Sequence, residues 1–291
     1  MSHQLGLIAT VADTDKQSGD VTCMRFHNGK LYTGAEGGKL IVYNPDLTIY
    51  KTMQAQFNTI NAICFFQGDL VTTGNDGLIK VWDSSSLELK KTLEGHENEV
   101  RVLKARDDKL FSGDMNGKVK IWDKNYTMLF TLSVVEEVWS MDMARDIIYT
   151  ARCNDVTCTQ IGFKEMSVPG ETKFIILDTF EGRGPMCIAG EHIIYTNREG
   201  TVLLVKENKP GHKHVNNMTG HEKIINALIY TDNLVYSAGY DGMVKIWDGT
   251  TYKPVASGTT VGNPVFSLGV GDNGEVYAGL NDGSIIKMVR Q

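Results

Sequence analysis

The sequence predicts an all-β fold, a seven-bladed β-propeller of four-stranded antiparallel blades, and three observations carry that reading. The phrase "DGMVKIWD" (241–248) recurs as "DGLIKVWD" (76–83) and "NGKVKIWD" (116–123). The position of its Trp can be followed along the chain as Tyr43, Trp82, Trp122, Gln160, Val205, Trp247 and Met288, in steps of 39, 40, 38, 45, 42 and 41 residues. A sustained period near 40 marks a supersecondary unit used repeatedly. Within a unit the pattern is β: in the third, "VRVLKAR", "KLFSG", "KVKIWD" and "MLFTLS" are separated by "DD", "DMNG" and "DKNYT", which is turn chemistry. No segment carries a helical apolar period of useful length.

The ring must also close. The seventh unit supplies three strands, "VFSLGVG", "EVYAG" and "SIIKMV", and then the chain ends. A spare strand, Gln4–Val11, precedes the first unit. Pairing it with Ser284–Val289 completes blade seven and abolishes an exposed edge, so residues 1–291 read as a single propeller closed by the N-terminal strand pairing into the last blade.

Composition narrows the function. The 291 residues are 42% hydrophobic, enough for a core, and the net charge of −6 comes without a basic run. This argues against non-specific nucleic-acid or membrane binding. No apolar stretch reaches membrane-spanning length, and the N-terminus lacks the pattern of a signal peptide. The five cysteines are odd in number and sit mostly in strand-like runs, which fits reduced thiols in an intracellular protein, cytoplasmic or nuclear.

With its three Trp-Asp pairs, and with Gly95-His96 and Gly220-His221 opening two units, the chain resembles the WD-repeat family of β-propellers over essentially its whole length. The resemblance implies a hydrogen-bonded set of His, Ser/Thr, Asp and Trp in each well-kept unit. Unit six has His221, Ser237, Asp241 and Trp247; unit three has His96, Ser112, Asn116 and Trp122, with Asn in place of Asp. Unit two has Thr72, Asp76 and Trp82, with Gln56 in the His position. Such a set satisfies buried polar groups by tying a loop to the third strand. His221, Ser237 and Asp241 also spell a catalytic triad. That chemistry needs an exposed hydroxyl and an oxyanion hole, and the repetition in unit three favours structure.

The resemblance further implies that one position per blade faces the channel mouth: Thr22, Asn61, Arg101, Trp139, Pro185, Asn226 and Phe266. A second position on the same face holds Glu36, Asn75, Met115, Cys153, Arg198, Tyr240 and Asn281. Trp139 is the one Trp outside the structural position. Arg101, Met115, Trp139, Arg198, Tyr240 and Phe266 together form a patch rich in the residue types of binding hot spots. The expected function is therefore a non-enzymatic scaffold that binds a peptide or protein segment on this face, as a monomeric propeller within a larger complex. Glu99, Glu136 and Glu137 favour a basic peptide, whereas Arg101 and Arg198 suit an acidic or phosphorylated one. The alternative is a propeller enzyme with a metal in the channel; the positions named hold no His cluster, and no cofactor or metal site is expected. "GHKH" (211–214) with His221 offers three imidazoles but lies in a polar loop, and Cys153 and Cys158 make no metal or redox motif. The long connection 162–173 reads either as an interaction loop or as an idle insertion.

Overall fold

The computed structural model describes residues 3–134, 136–162, 174–260 and 262–291. Among them are 28 strands and one 3-10 turn at Asp13–Asp15. The strands form seven antiparallel blades of four. The first six span 23–54, 60–93, 100–133, 140–181, 183–218 and 225–259; the seventh spans 265–290 and takes His3–Thr10 as its outer strand. The connection at 162–173 lies, but for Gly162, outside the described residues.

The closing strand makes two pairings. His3–Thr10 runs antiparallel to Ile285–Arg290, with Leu5 opposite Arg290 and Thr10 opposite Ile286. Its first residues also pair in parallel with the outer strand of blade six, His3 with Ala256 and Gln4 with Ser257. Blades six and seven thus form one eight-stranded sheet.

The core lies between blades. Each seam has its own apolar cluster, as a blade with two apolar faces requires. Between blades two and three, Phe66, Val71 and Val81 meet Val100, Leu103 and Trp122. Between seven and one, Tyr277 and Ile285 meet Val21, Leu31 and Tyr43, with Val11 beside them. Trp82, Trp122 and Trp247 all face the seam toward the preceding blade.

A second device crosses the same seams. The turn between third and fourth strands carries a non-glycine residue at positive φ in five blades: Leu47 (69°), Leu87 (62°), Tyr126 (60°), His212 (36°) and Tyr252 (58°). That conformation costs roughly 1–2 kcal/mol. It is offset because each side chain pegs into the blade before. Leu47 joins the cluster of Tyr277, Tyr126 donates its hydroxyl to the Phe66 carbonyl (2.9 Å), and Tyr252 OH lies 2.8 Å from His192 Nδ1.

Two repeat positions differ from the sequence expectation. In blade two, Leu70 lies opposite Trp82. The equivalent pairs are Ile148 with Thr159 in blade four and Ile193 with Lys206 in blade five, so Thr159 and Lys206 occupy the Trp position in place of Gln160 and Val205. The turn between second and third strands is one residue shorter in blade four and one longer in blade five. A one-residue slip reverses which face a side chain takes: Val205 faces blade six, and Gln160 turns outward to bond Asp146 (2.8 Å).

Removing residues 1–11 takes away Leu5 and Val11, both 3% exposed, and bares the Ile285–Arg290 edge. The loss of stability should exceed the about 2–5 kcal/mol of truncating one buried leucine, with self-association along the bare edge. Denaturant melts with light scattering check it; an equally stable, monodisperse truncation would overturn the closure argument.

Candidate functional site

In blade six the polar set is complete. Trp247 Nε1 donates to Ser237 Oγ (2.9 Å), Ser237 Oγ lies 2.8 Å from His221 Nε2, and His221 Nδ1 lies 2.8 Å from Asp241 Oδ2. Indole N–H only donates, so the serine accepts from it and passes its own proton to Nε2; Nδ1–H then donates to the carboxylate. Burial holds the His221 pKa below its ordinary 6.5, with Asp241 opposing the shift. Ser237 has no exposed surface. The chain is a structural lock without an accessible nucleophile.

Blade three corrects the expectation at Asn116. His96 Nε2 lies 2.7 Å from Ser112 Oγ, but its Nδ1 meets Asp114 Oδ2 at 2.7 Å. Asn116 accepts instead from the Asn98 amide (3.0 Å). The carboxylate has moved two residues toward the strand, and from there it also accepts from the backbone N–H of Asn116 and Lys118. Burial pushes the Asp114 carboxyl up, but the bonds from His96 and these N–H groups outweigh it and hold it below the usual value. In blades one and two glutamine does histidine's work: Gln17 and Gln56 donate to Thr33 Oγ1 (2.8 Å) and Thr72 Oγ1 (3.1 Å), and Trp82 donates to Thr72 (2.9 Å). Asp76 stays outside that chain and accepts from Leu78 N.

The mouth positions owe their direction to β-bulges. Asn61, Arg101, Asn226 and Phe266 are each an extra residue against the second strand, and Gly184–Met186 form a longer irregularity around Pro185. A bulge re-aims a side chain that alternation would send into a seam. Thr22 and Trp139 stand immediately before the first strands of their blades. Three of the seven tie blades together: Thr22 Oγ1 donates to the Ile60 carbonyl, Asn61 Nδ2 to Val100 O (3.1 Å) and Asn226 Nδ2 to Val265 O (2.9 Å). Among the described residues, Arg101, Trp139, Pro185 and Phe266 make no such bond.

All seven line one cavity of about 590 Å³ at the channel, joined by Tyr240 and Cys153. Trp139 and Tyr240 are 42% and 40% exposed. The Arg101 guanidinium lies 4.9 Å from the centre of the Trp139 ring, and Tyr240 meets Phe266 edge-on at 5.4 Å. Of the six patch residues, Arg101, Trp139, Tyr240 and Phe266 come together here. Met115 and Arg198 are not among the lining residues, and Arg198 pairs with Glu181 (3.3 Å). Glu99 and Glu136 are also engaged, with Arg101 (2.6 Å) and Arg152 (3.0 Å).

The imidazoles of "GHKH" and His221 do not converge. His214 is exposed on an outer strand, while His212, expected at the surface, is the 3%-exposed peg of blade five. Its Nδ1 lies 3.0 Å from Asp178 Oδ2 and its Nε2 3.4 Å from Cys158 Sγ. Burial pushes the Cys158 thiol far above its ordinary range, so S–H donates to the ring. Nothing in a polar tetrapeptide announces this; the signal is its place in a third-to-fourth turn. All five cysteines are free, and Cys153 is exposed.

Blades locked by His–Ser–Trp chains, with off-pattern residues gathered at the channel mouth, define a repeat-built β-propeller. The model of the WD domain, G-beta repeat, matches residues 48–83, 87–123 and 212–248. The fold is a β-propeller, and three stretches of the chain match the WD repeat. Each match begins in or just before the outer strand of one blade and ends on the third strand of the next, so the sequence unit straddles a seam. Among solved structures the chain is similar to the WD40 β-propeller domain of Doa1, at 17% identity and a TM-score of 0.82, over 99% of this chain and 98% of that one. No curated protein matches the sequence. Propellers of this family are typically protein-interaction scaffolds.

Two predictions separate the locks. Asp114→Ala strands His96 and should cost about 1–3 kcal/mol, whereas Asn116→Ala should stay within about 0.5 kcal/mol of wild type. Equal midpoints in denaturant melts would refute the assignment. For His221, a folded pKa below the unfolded 6.5 means that the unfolded chain takes up the proton first. The lock's contribution is whole above about pH 6.5 and is lost as pH falls through the folded value. His221→Gln, which copies blades one and two, should flatten that part of the stability–pH curve; an unaltered slope would count against it.

Proposed function

We propose that this propeller is a non-enzymatic scaffold that holds a peptide or protein segment at the channel mouth. The supporting observation is the division of the seven mouth positions. Three are spent on ties between blades. The other four are Arg101, Trp139, Pro185 and Phe266, and with Tyr240 they present aromatic and guanidinium surface to a cavity of ligand-binding size. Trp and Tyr offer large contact area with few rotatable bonds, so little entropy is lost when a partner docks. Among the described residues the lining holds no histidine and no carboxylate, donors that a metal-assisted hydrolase commonly uses. The free thiols suit a reducing compartment, the cytoplasm or nucleus, and the propeller would act as a monomer within a larger complex.

Trp139→Ala should weaken partner binding by about 2 kcal/mol or more, roughly thirtyfold, with the melting point nearly unchanged. Trp247→Ala should behave oppositely, losing about 3–5 kcal/mol of stability, with binding affected only through unfolding. Calorimetric melts and partner titrations of both variants check it. A Trp139→Ala protein that melts early and binds normally once folded would sink the proposal.

A further inference from the structure

Charge at the mouth runs against charge on the body. The chain carries −6 overall, yet among the described residues the cavity is lined by five basic ones, Arg25, Arg101, Lys104, Arg152 and Arg183, and by no acidic one. Three of the five are already engaged. Arg101 pairs with Glu99 (2.6 Å), Lys104 with Asp142 (3.2 Å), and Arg152 with Glu136 and Asp155 (3.0 and 3.5 Å). Arg25 and Arg183 have no carboxylate partner among the described residues; Arg25 only donates to the Ile63 carbonyl (3.4 Å). Each is partly buried, so its charge faces the cavity between low-dielectric walls, where a field is focused rather than screened.

We infer that the mouth takes an acidic protein segment, with carboxylates met by Arg183 and Arg25 and an apolar residue seated against Trp139 or the Tyr240–Phe266 pair. This rests on the reading of the mouth as a peptide site and adds the chemistry of the peptide. The placement of the two arginines favours separated carboxylates over one phosphate. Arg25 belongs to blade one and Arg183 to blade five, three blades apart and as far as two positions in a ring of seven can be. A single dianion would have to sit midway between opposite walls to meet both, whereas side chains along one extended segment meet each at its own wall. The nearby carboxylates Glu99, Asp142, Glu136 and Asp155 all lie in ion pairs with lining cations, Arg152 taking two of them, and the five lining cations still outnumber the four.

The test is selection from a random peptide library on wild-type protein, keeping only peptides whose binding is lost in Trp139→Ala. The retained peptides should be enriched in Asp and Glu beside Leu, Phe or Trp, and should weaken as salt rises. They should lose about tenfold in affinity in Arg183→Gln and, independently, in Arg25→Gln, the scale of one charge-assisted contact. Melting of both variants shows that they are folded. Retained peptides that are basic or charge-neutral, or that ignore both substitutions, overturn the inference and leave the peptide site standing. A parallel library containing phosphoserine that yields binders where the unmodified library yields none overturns the choice of carboxylate. If no Trp139-dependent peptide emerges from either library, the peptide site itself fails.

Discussion

A blade of four strands has two apolar faces and cannot cover either by itself. Every seam cluster in this molecule is made by two blades, so each blade is half of two cores. An open row of such blades would leave two faces bare; closing the row covers both. The last seam, between blades seven and one, therefore depends on a strand drawn from the opposite end of the chain. Leu5 and Val11 lie in the clusters on either side of blade seven, and the parallel contact with blade six fastens the same strand a second time. Non-local pairing of this kind is slow to form because loop-closure entropy is spent before the contacts return it.

Local polar devices then fix each seam in register. The His–Ser–Trp lock sets the loop before a blade against its third strand, and the αL pegs carry a side chain from one blade into its predecessor. These devices tolerate exchange. Asp114 replaces an Asp two residues on, glutamine replaces histidine in blades one and two, and Tyr43 spans to the Asp15 carbonyl (2.7 Å) where Trp stands elsewhere. In each of these exchanges a buried donor still meets an acceptor, since leaving one unmet costs about 1–3 kcal/mol.

The repeat, the blade count and the closing strand were legible because they depend on periodicity and on strand accounting, which a single chain displays. Trp122 and Trp247 marked their blades for the same reason. Gln160 and Val205 were misplaced because blades four and five have lost the Trp that reports register, and a turn altered by one residue leaves the apolar pattern readable in either phase. Asn116 misled in another way: counting from Ser112 gives the position, but the carboxylate that reaches His96 comes from Asp114, and only the fold shows which side chain points inward. His212 was hidden because its burial comes from a neighbouring blade. At the mouth, the ring positions could be listed by resemblance, but not which carry bulges or tie blades.

That last distinction shows why four of the mouth positions are free of ties between blades. Six of the seven seams have a polar tie near the channel. At the seams between blades one and two, two and three, and six and seven, the mouth residue supplies it, through Thr22, Asn61 and Asn226. Elsewhere a neighbouring group does so. Lys104 pairs with Asp142 between blades three and four, Met186 N and Ile188 N donate to Ser140 and Asp142 between four and five, and Ser267 donates to the Val21 carbonyl between seven and one. Between five and six the Tyr252 peg reaches His192 at the turns. Once the tie has moved, the mouth position carries no structural duty, and its side chain can be Arg, Trp, Pro or Phe without opening the ring. Arg101, Trp139, Pro185 and Phe266 stand at the mouth of these four blades, so their departure from the pattern marks where the fold has ceased to constrain the surface.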